Sequence, residues 1–306
     1  MKIDCLLCNT SGESQLISPS IRDDASGQFK IHRCLTCGHV QLFPLPTPEQ
    51  DQAFYDGDRQ LQNVSGGGTD LQREKFKSIA DTERRVSWLD SIISSPSKIL
   101  DVGCGYGFFV DALTNKGYEA MGIEVSKLRL DLAKSSLQGD FIQGSIDDQK
   151  IQNLYQNNFD AVTLFHVLEH LTDPVNFLLK CLNLIKPNGY LLIEVPNFRD
   201  ELIGQSLEYA HFYWQRAHLS YFSPFHLELT FHKAEIEIGN FVIDGVQRYG
   251  LRNLLHWLDE KKPQLTNPSF DEKTLPILEH LEQLYKGDRQ SKLTCDTLIA
   301  TIKKCN

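Results

Sequence analysis

Seven residues, Asp101-Val102-Gly103-Cys104-Gly105-Tyr106-Gly107, constrain this chain more than any other stretch. They follow the apolar run KIL at 98–100 and precede the helical pattern FFVDAL at 108–113. Glycines between a strand and a helix let the backbone turn sharply and approach a ligand closely. The start of the helix presents free N–H groups at the same place. The next strand-like run, YEAMGIE, ends at Glu124, 17 residues after Gly107. A carboxylate there can accept both hydroxyls of a ribose. A dinucleotide site prefers G-x-G-x-x-G. The spacing here is G-x-G-x-G, preceded by Asp101.

The surrounding pattern fixes the fold class. From Lys98 onward strand and helix runs alternate: KILDV, GFFVDALTNKG, YEAMGIE, SKLRLDLAKSS, FIQGS, FDAVTLFHV, DPVNFLLKCLNLIKPNG and YLLIEVPN. Such alternation predicts an α/β fold with a doubly wound, mostly parallel sheet. Asp173 is the expected N-cap of the helix at 174, with Pro174 at its first position and Gly189 after its end. Past Pro196, Ser223 and Pro224 predict another helix start. NFVIDGVQRYG reads as a strand, LRNLLHWLDEKKP and TLPILEHLEQLYKG as helices. CDTLIATIKK reads as a last strand that finishes the sheet in antiparallel fashion.

The first 40 residues differ. They are short β-like runs with almost no helical periodicity, and they hold Cys5-x-x-Cys8 and Cys34-x-x-Cys37-Gly38-His39. Two such knuckles complete a tetrahedral four-thiolate site, which selects Zn²⁺. The 25 residues between the pairs suit a hairpin, so a small zinc ribbon is expected, with the metal structural and supplying folding free energy. Cys104, Cys181, Cys295 and Cys305 are scattered singly. Pro44, Pro46 and Pro48 read as a break after the ribbon. Gly66-Gly67-Gly68 implies a flexible loop. Phe76, Ile79, Val86, Leu89 and Ile92-Ile93 predict an amphipathic helix over 71–93. The expected division is a zinc-ribbon module at 1–45, a linker and helical connector at 46–95, and a third part at 96–306.

Taken with their order, DVGCGYG, GIEVS at 122–126, FDAVTLFHVLEHLTDP at 159–174 and LIKPNGYLLIEVPN at 184–197 resemble the class I S-adenosylmethionine-dependent methyltransferases, over roughly residues 96–200. The resemblance implies a Rossmann-like methyltransferase sheet and S-adenosyl-L-methionine as cofactor. Asp101, Gly103, Gly105 and Gly107 would hold the methionine end, and Glu124, with Val125 beside it, the ribose. Ser145 stands where the family often has an acidic residue near the adenine. Asp147 is its possible substitute, and the Ile146 N–H another reader of the ring. Phe165 and His166, ending the fourth strand, would lie between cofactor and acceptor. A four-cysteine module joined to such a domain also resembles bacterial small-molecule methyltransferases, including nucleotide-sugar C-methyltransferases. The core motifs resemble ubiquinone-type O-methyltransferases as well.

The acceptor is expected outside the carboxyl ends of the strands. The stretch 197–225 is dense in Phe198, Tyr209, Phe212, Tyr213, Trp214, Tyr221 and Phe222. It reads either as a substrate lid or as an aromatic packing cluster. His218 is the preferred general base and His166 the reserve. Asn197 and Gln247-Arg248-Tyr249 are further candidates for polar contacts to the acceptor. HVLEH at 166–170 has the order of an inverted zincin motif, but it ends a strand, where a zincin needs a helix.

Charge and hydropathy narrow the partners. A net charge of −9, with no Lys/Arg-rich run, argues against duplex nucleic acid. No apolar run approaches the ~18–20 residues of a membrane span. MKIDCLLCNT has no apolar h-region, and the paired cysteines suit a reducing compartment, so a cytoplasmic protein is expected. The expected partner is a small-molecule methyl acceptor, with a sugar or nucleotide sugar in view. The competing reading is a protein or RNA modifier that uses the ribbon for recognition. The sequence does not fix the oligomeric state.

Overall fold

A computed structural model describes residues 1–24, 26–47, 49–51, 71–264 and 275–305. The triple glycine at 66–68 and Pro48 lie outside the described residues. The chain builds two sheets. The larger has strand order β11-β12-β9-β8-β5-β6-β7. Here β5 is Lys98–Val102, β6 Glu119–Glu124, β7 Asp140–Gln143, β8 Phe159–Phe165, β9 Ile185–Pro196, β11 Phe241–Val246 and β12 Thr297–Lys303. The five strands from β7 to β9 pair in parallel. β12 runs antiparallel to both β9 and β11. The doubly wound, mostly parallel sheet is therefore as expected, with one topological difference. The C-terminal strand does not finish the sheet. It inserts between β9 and β11, and its apolar residues Leu298, Ala300 and Ile302 are buried there.

Helices cover both faces: α1 Leu71–Asp90, α2 Phe108–Asn115, α3 Lys127–Ser136, α4 Gln149–Leu154 and α5 Pro174–Leu184, then α6 Glu201–Gln205, α7 Leu207–Tyr213, α8 Pro224–Lys233, α9 Leu251–Glu260 and α10 Leu275–Ser291. The expected caps are made. The Asp173 carboxylate accepts the Asn176 N–H at 3.0 Å, and Ser223 Oγ accepts the His226 N–H at 3.4 Å. α5 ends earlier than the sequence predicts. Gly189 falls inside β9, where a side chain would meet the Asp160 carbonyl and Ile185. In α1 the periodicity is only half used. Val86 and Leu89 are buried, whereas Phe76 and Ile79 face solvent.

The smaller sheet has the order β1-β2-β3-β4-β10: Lys2–Asp4, Ser11–Ser18, Lys30–Cys34, Val40–Phe43 and Ser220–Tyr221. Its fifth strand comes from the far side of the sequence, pairing Ser220 with Gln41 and Tyr221 with Val40. Around it Ile21, Phe29, Ile31, Val40 and Leu42 of the first module share one core with Tyr209, Tyr213, Trp214, Tyr221 and Trp257. The aromatic stretch after β9 is thus packed against the ribbon, ring on ring: Trp214 and Tyr221 lie 4.9 Å apart, edge to face.

Candidate active site

The glycine loop, Glu124, His166 and Pro196 all stand at the carboxyl ends of parallel strands, along one edge of the large sheet. Gly103, Gly105 and Gly107 have φ of 72°, 57° and 77°, a left-handed conformation that side chains disfavour. At Gly103 a Cβ would press on Val167, and at Gly107 on the Phe141 ring. At Gly105 it would meet nothing within 4 Å, so this backbone borders open space. Glu124 is buried, and its carboxylate accepts the Gly105 N–H at 2.9 Å and the Ser126 N–H at 2.8 Å. Asp101 accepts the Thr163 hydroxyl at 2.6 Å. Burial lifts the Asp101 carboxyl to about 7 against the pull of that bond. A glycine cradle facing open space, with two buried carboxylates at its rim, fits a cationic amino acid joined to a ribose. Asp101, Gly103, Gly105, Gly107 and Glu124 are the residues that could hold such a group.

Beside the cradle lies a cavity of about 320 Å³ at the ends of β8 and β9. Two of its lining residues, His166 and Arg248, belong to an ion cluster that lies behind them. Glu194 is completely buried in the middle of an apolar strand. It accepts from Arg84 Nη2 at 2.9 Å, from Arg85 Nε and Nη2 at 3.0 and 2.9 Å, and from His166 Nε2 at 3.0 Å. Burial opposes the charge of Glu194, but these partners hold its carboxyl well below the usual range. Arg248 closes the cluster through Asp81 of α1. His166 has its other nitrogen, Nδ1, 3.2 Å from Glu169. Burial lowers the basicity of His166, yet the two carboxylates outweigh it and raise its pKa.

The cavity wall is made by the segment entering β10. His218 is buried and stands between the Gln215 amide and the Glu169 carboxylate, the latter 3.9 Å from Nε2. Burial, reinforced by neighbouring His170, depresses its pKa well below the ordinary value, so it is neutral. The ribbon reaches this wall directly. Arg22 Nη2 donates to Gln215 at 2.6 Å, the Leu42 N–H donates to the Leu219 carbonyl at 3.0 Å, and His39 Nε2 lies 3.1 Å from the Ser220 hydroxyl. Arg22 itself lines the cavity.

The four cysteines of the first module form one cluster. The sulfurs of Cys5 and Cys37 lie 3.6 Å apart, and those of Cys8 and Cys34 3.8 Å. All four are free thiols. Zinc bound to four sulfurs at ~2.3 Å sets them about 3.8 Å from one another, so the cluster fits the ion. His39, next to the second knuckle, is not part of the cluster.

The other expected positions have surroundings of their own. The Phe165 ring packs in the core against Phe109 at 5.0 Å and under Arg85. Ser145 and Asp147 hydrogen-bond to each other in a turn, and Ile146 is buried. Val125 is exposed beside Glu124. Asn197 does not face the cavity. Its amide donates to the carbonyls of Leu293 and Cys295 and its oxygen accepts the Arg199 N–H, which uses it fully as a brace for β12. Arg248 and Tyr249 do line the cavity. The residues missed in the sequence are Arg22, Gln215, Glu194 and the pair Arg84-Arg85. A signal existed for one of them: a glutamate inside YLLIEVP must be buried, and a buried carboxylate needs cationic partners.

Known proteins carry the same pattern. The sequence model of a family described as a methyltransferase domain matches residues 71–238, more than half of the chain. A ubiquinone biosynthesis O-methyltransferase from Stutzerimonas stutzeri is 34% identical over 119 residues, 37% of this chain and 50% of that protein. The chain spans about half the length of the curated relatives it matches. A SAM-dependent methyltransferase structure from Archaeoglobus fulgidus aligns over 76% of this chain and 98% of that one, with a TM-score of 0.52 and 19% identity. A plantazolicin methyltransferase solved with a monoazolic desmethylPZN analog and SAH aligns over 83% of this chain and 93% of that one, with a TM-score of 0.51 and 14% identity. At these identities the two structures are similar in fold. Among the described residues no helix is long and apolar enough to cross a membrane.

Proposed function

This chain belongs to the methyltransferase-domain family, and from that premise we propose that it transfers a methyl group from S-adenosylmethionine to a hydroxylated small molecule seated beside His218. The observation that carries the reading is the pairing of a glycine cradle with an adjacent cavity whose one neutral, buried histidine faces inward. The curated relatives' name supplies the O-methyl acceptor as the first class to test, with hydroxylated rings, sugars among them, as the acceptor chemistry.

When bound, the cofactor supplies an electrophilic methyl on a sulfonium. The chain's own residues do the rest. The glycine backbone and Asp101 take the amino-acid end, where an ammonium would favour the charged form of Asp101. Glu124 keeps acceptor capacity for ribose hydroxyls. The ion cluster of Glu194, Arg84, Arg85 and Arg248 fixes His166 at the cavity floor. With both nitrogens facing carboxylates, His166 is a poor base. His218 is the better proton acceptor, because it is neutral and its Nε2 lone pair, which accepts from the Gln215 amide at 2.9 Å, becomes available once an acceptor hydroxyl displaces that amide. Holding donor and acceptor in line can contribute ~7–11 kcal/mol to the barrier reduction.

The macromolecular alternative draws no support from the ribbon surface. Residues 1–45 carry four basic and four acidic side chains. Their two aromatic residues are Phe29, which is buried, and Phe43, which is half-buried. A stacking platform on a basic face is therefore missing.

The test is methylation of a panel of hydroxylated ring compounds by wild type and His218→Ala. Turnover should fall ~10²–10⁴-fold in the variant with S-adenosylmethionine affinity nearly unchanged. Full turnover in His218→Ala would remove the base from the account. Absence of any methylation across ring acceptors, with the cofactor bound, would overturn the acceptor class.

A further inference from the structure

We propose that Arg22 of the ribbon is a specificity-determining residue, and that it selects acceptors whose hydroxylated ring carries an anionic substituent, a carboxylate or a phosphate. The inference rests on the reading of this cavity as the acceptor site. Arg22 lies between β2 and β3 of the small sheet, yet it lines the cavity at the ends of β8 and β9. Its main chain is fastened there, with the Arg22 N–H donating to the Trp214 carbonyl at 2.7 Å. Its guanidinium stands 4.1 Å over the Phe212 ring. Nε donates to Asp23 at 3.2 Å and Nη2 to Gln215 Oε1 at 2.6 Å. Among the described residues Nη1 has no hydrogen-bond partner. A planar cation fixed at its ring face, at Nε and at Nη2, with one donor nitrogen open, is preorganised for an oxyanion.

The other charges around the cavity are already matched. Arg248 pairs with Asp81. Asp296 accepts from Gln247, from the Tyr249 N–H and from the Thr297 hydroxyl. What remains is a polarised wall. Glu169, His218, Gln215 and Arg22 follow one another, with gaps of 3.9, 2.9 and 2.6 Å. One end is negative, the other positive, and the neutral base stands between. A ligand that gives a hydroxyl proton to His218 and sets a negative charge on Arg22 matches the wall at both places. A neutral ring matches it at one.

Gln215 couples the two places. Its oxygen accepts from Arg22, and its amide nitrogen lies 2.9 Å from His218 Nε2. An anion that draws Nη2 away from Gln215 leaves that amide free to turn from His218. An anionic acceptor thereby helps to uncover the base that takes its proton. Only hydrogen bonds change in this step.

The test is calorimetry on the whole chain, with zinc in the ribbon, using ligand pairs that differ in charge. The carboxylate arms compare para-hydroxybenzoate with para-hydroxybenzamide and glucuronate with glucuronamide. The phosphate arm compares hydroquinone monophosphate with hydroquinone. In at least one arm the anion should bind more tightly by ~10–100-fold, the range of a hydrogen bond to a charged group. The arm with the largest ratio identifies the anion. Arg22→Gln should bring the ratio close to one, and Arg22→Lys, which keeps the charge without the fork, should fall between. Lys134→Gln, which removes a positive charge from the exposed side of α3, should keep the wild-type ratio. Zinc content and circular dichroism verify folding. If Arg22→Gln fails that check, Asp23→Asn decides: it removes the competing carboxylate and should raise the ratio, and an unmoved ratio there would overturn the site. Equal binding of charged and neutral members by the wild type in every arm, or a preference that survives in folded Arg22→Gln, would overturn it as well. The readout needs no turnover, so it is separate from the test of methyl transfer.

Discussion

The two sheets meet at one cavity but are assembled by different rules. The large sheet encloses its own core and carries its ligand-facing residues on consecutive strand ends, Asp101 to Glu124 within 24 residues. The small sheet borrows its last strand from Ser220–Tyr221, some 180 residues after β4, and shares its core with α7 and α9. The large sheet makes the proposed cofactor cradle, and the small one holds the wall of the proposed acceptor cavity. Damage to the ribbon should therefore strike the acceptor side and spare the cradle.

The largest effect should follow from losing the ribbon metal, since structural zinc contributes ~10–16 kcal/mol in small finger peptides. Cys34→Ser should lose zinc by elemental analysis and lose methyl transfer, yet still bind S-adenosylmethionine in calorimetry. Retained turnover would break the comparison. Next is Glu194→Gln, which leaves Arg84 and Arg85 without their buried partner. Removing one side of a buried ion pair costs ~3–5 kcal/mol, read by denaturant unfolding. A loss under about 1 kcal/mol would mean that the cluster does not brace the cavity floor.

Glu124→Ala acts on the other sheet. It should weaken S-adenosylmethionine by ~1.5–3 kcal/mol per lost charged hydrogen bond and leave the ribbon zinc in place. Unchanged affinity would sink the ribose assignment. A further effect concerns pH. Asp101 holds its proton to about 7 when folded, against an ordinary value of 3.8. Between those values the folded state binds more protons than the unfolded one, so stability falls as pH rises from about 4 to about 7. Asp101→Asn should flatten that slope in the cofactor-free protein. An identical slope would show that Asp101 is already ionised when folded.

The same contrast explains what could be read in the sequence. The glycine loop, Glu124 and the two Cys-x-x-Cys pairs are local patterns, and the structure brings each set together. The strand order near the C-terminus was only half legible, because the composition of CDTLIATIKK gives a strand but not its neighbours. β10 was illegible. Two residues carry no periodicity, and pairing over such a separation is decided by the core it completes. The cavity's ion cluster joins residues 81–85, 166, 194 and 248, so no spacing rule reveals it. His39, beside the second knuckle, ties the start of β4 to Ser220, a contact across 181 positions that no local pattern signals.

The central claim is that the acceptor wall is held in place from the ribbon. Hydrogen exchange with and without zinc tests it most directly. Chelation should strip protection from 1–43 and 214–222 together while β5, β6 and β8 exchange as before. Protection that persists at 214–222 after the ribbon has opened, or a loss that spreads through the large sheet, would contradict it.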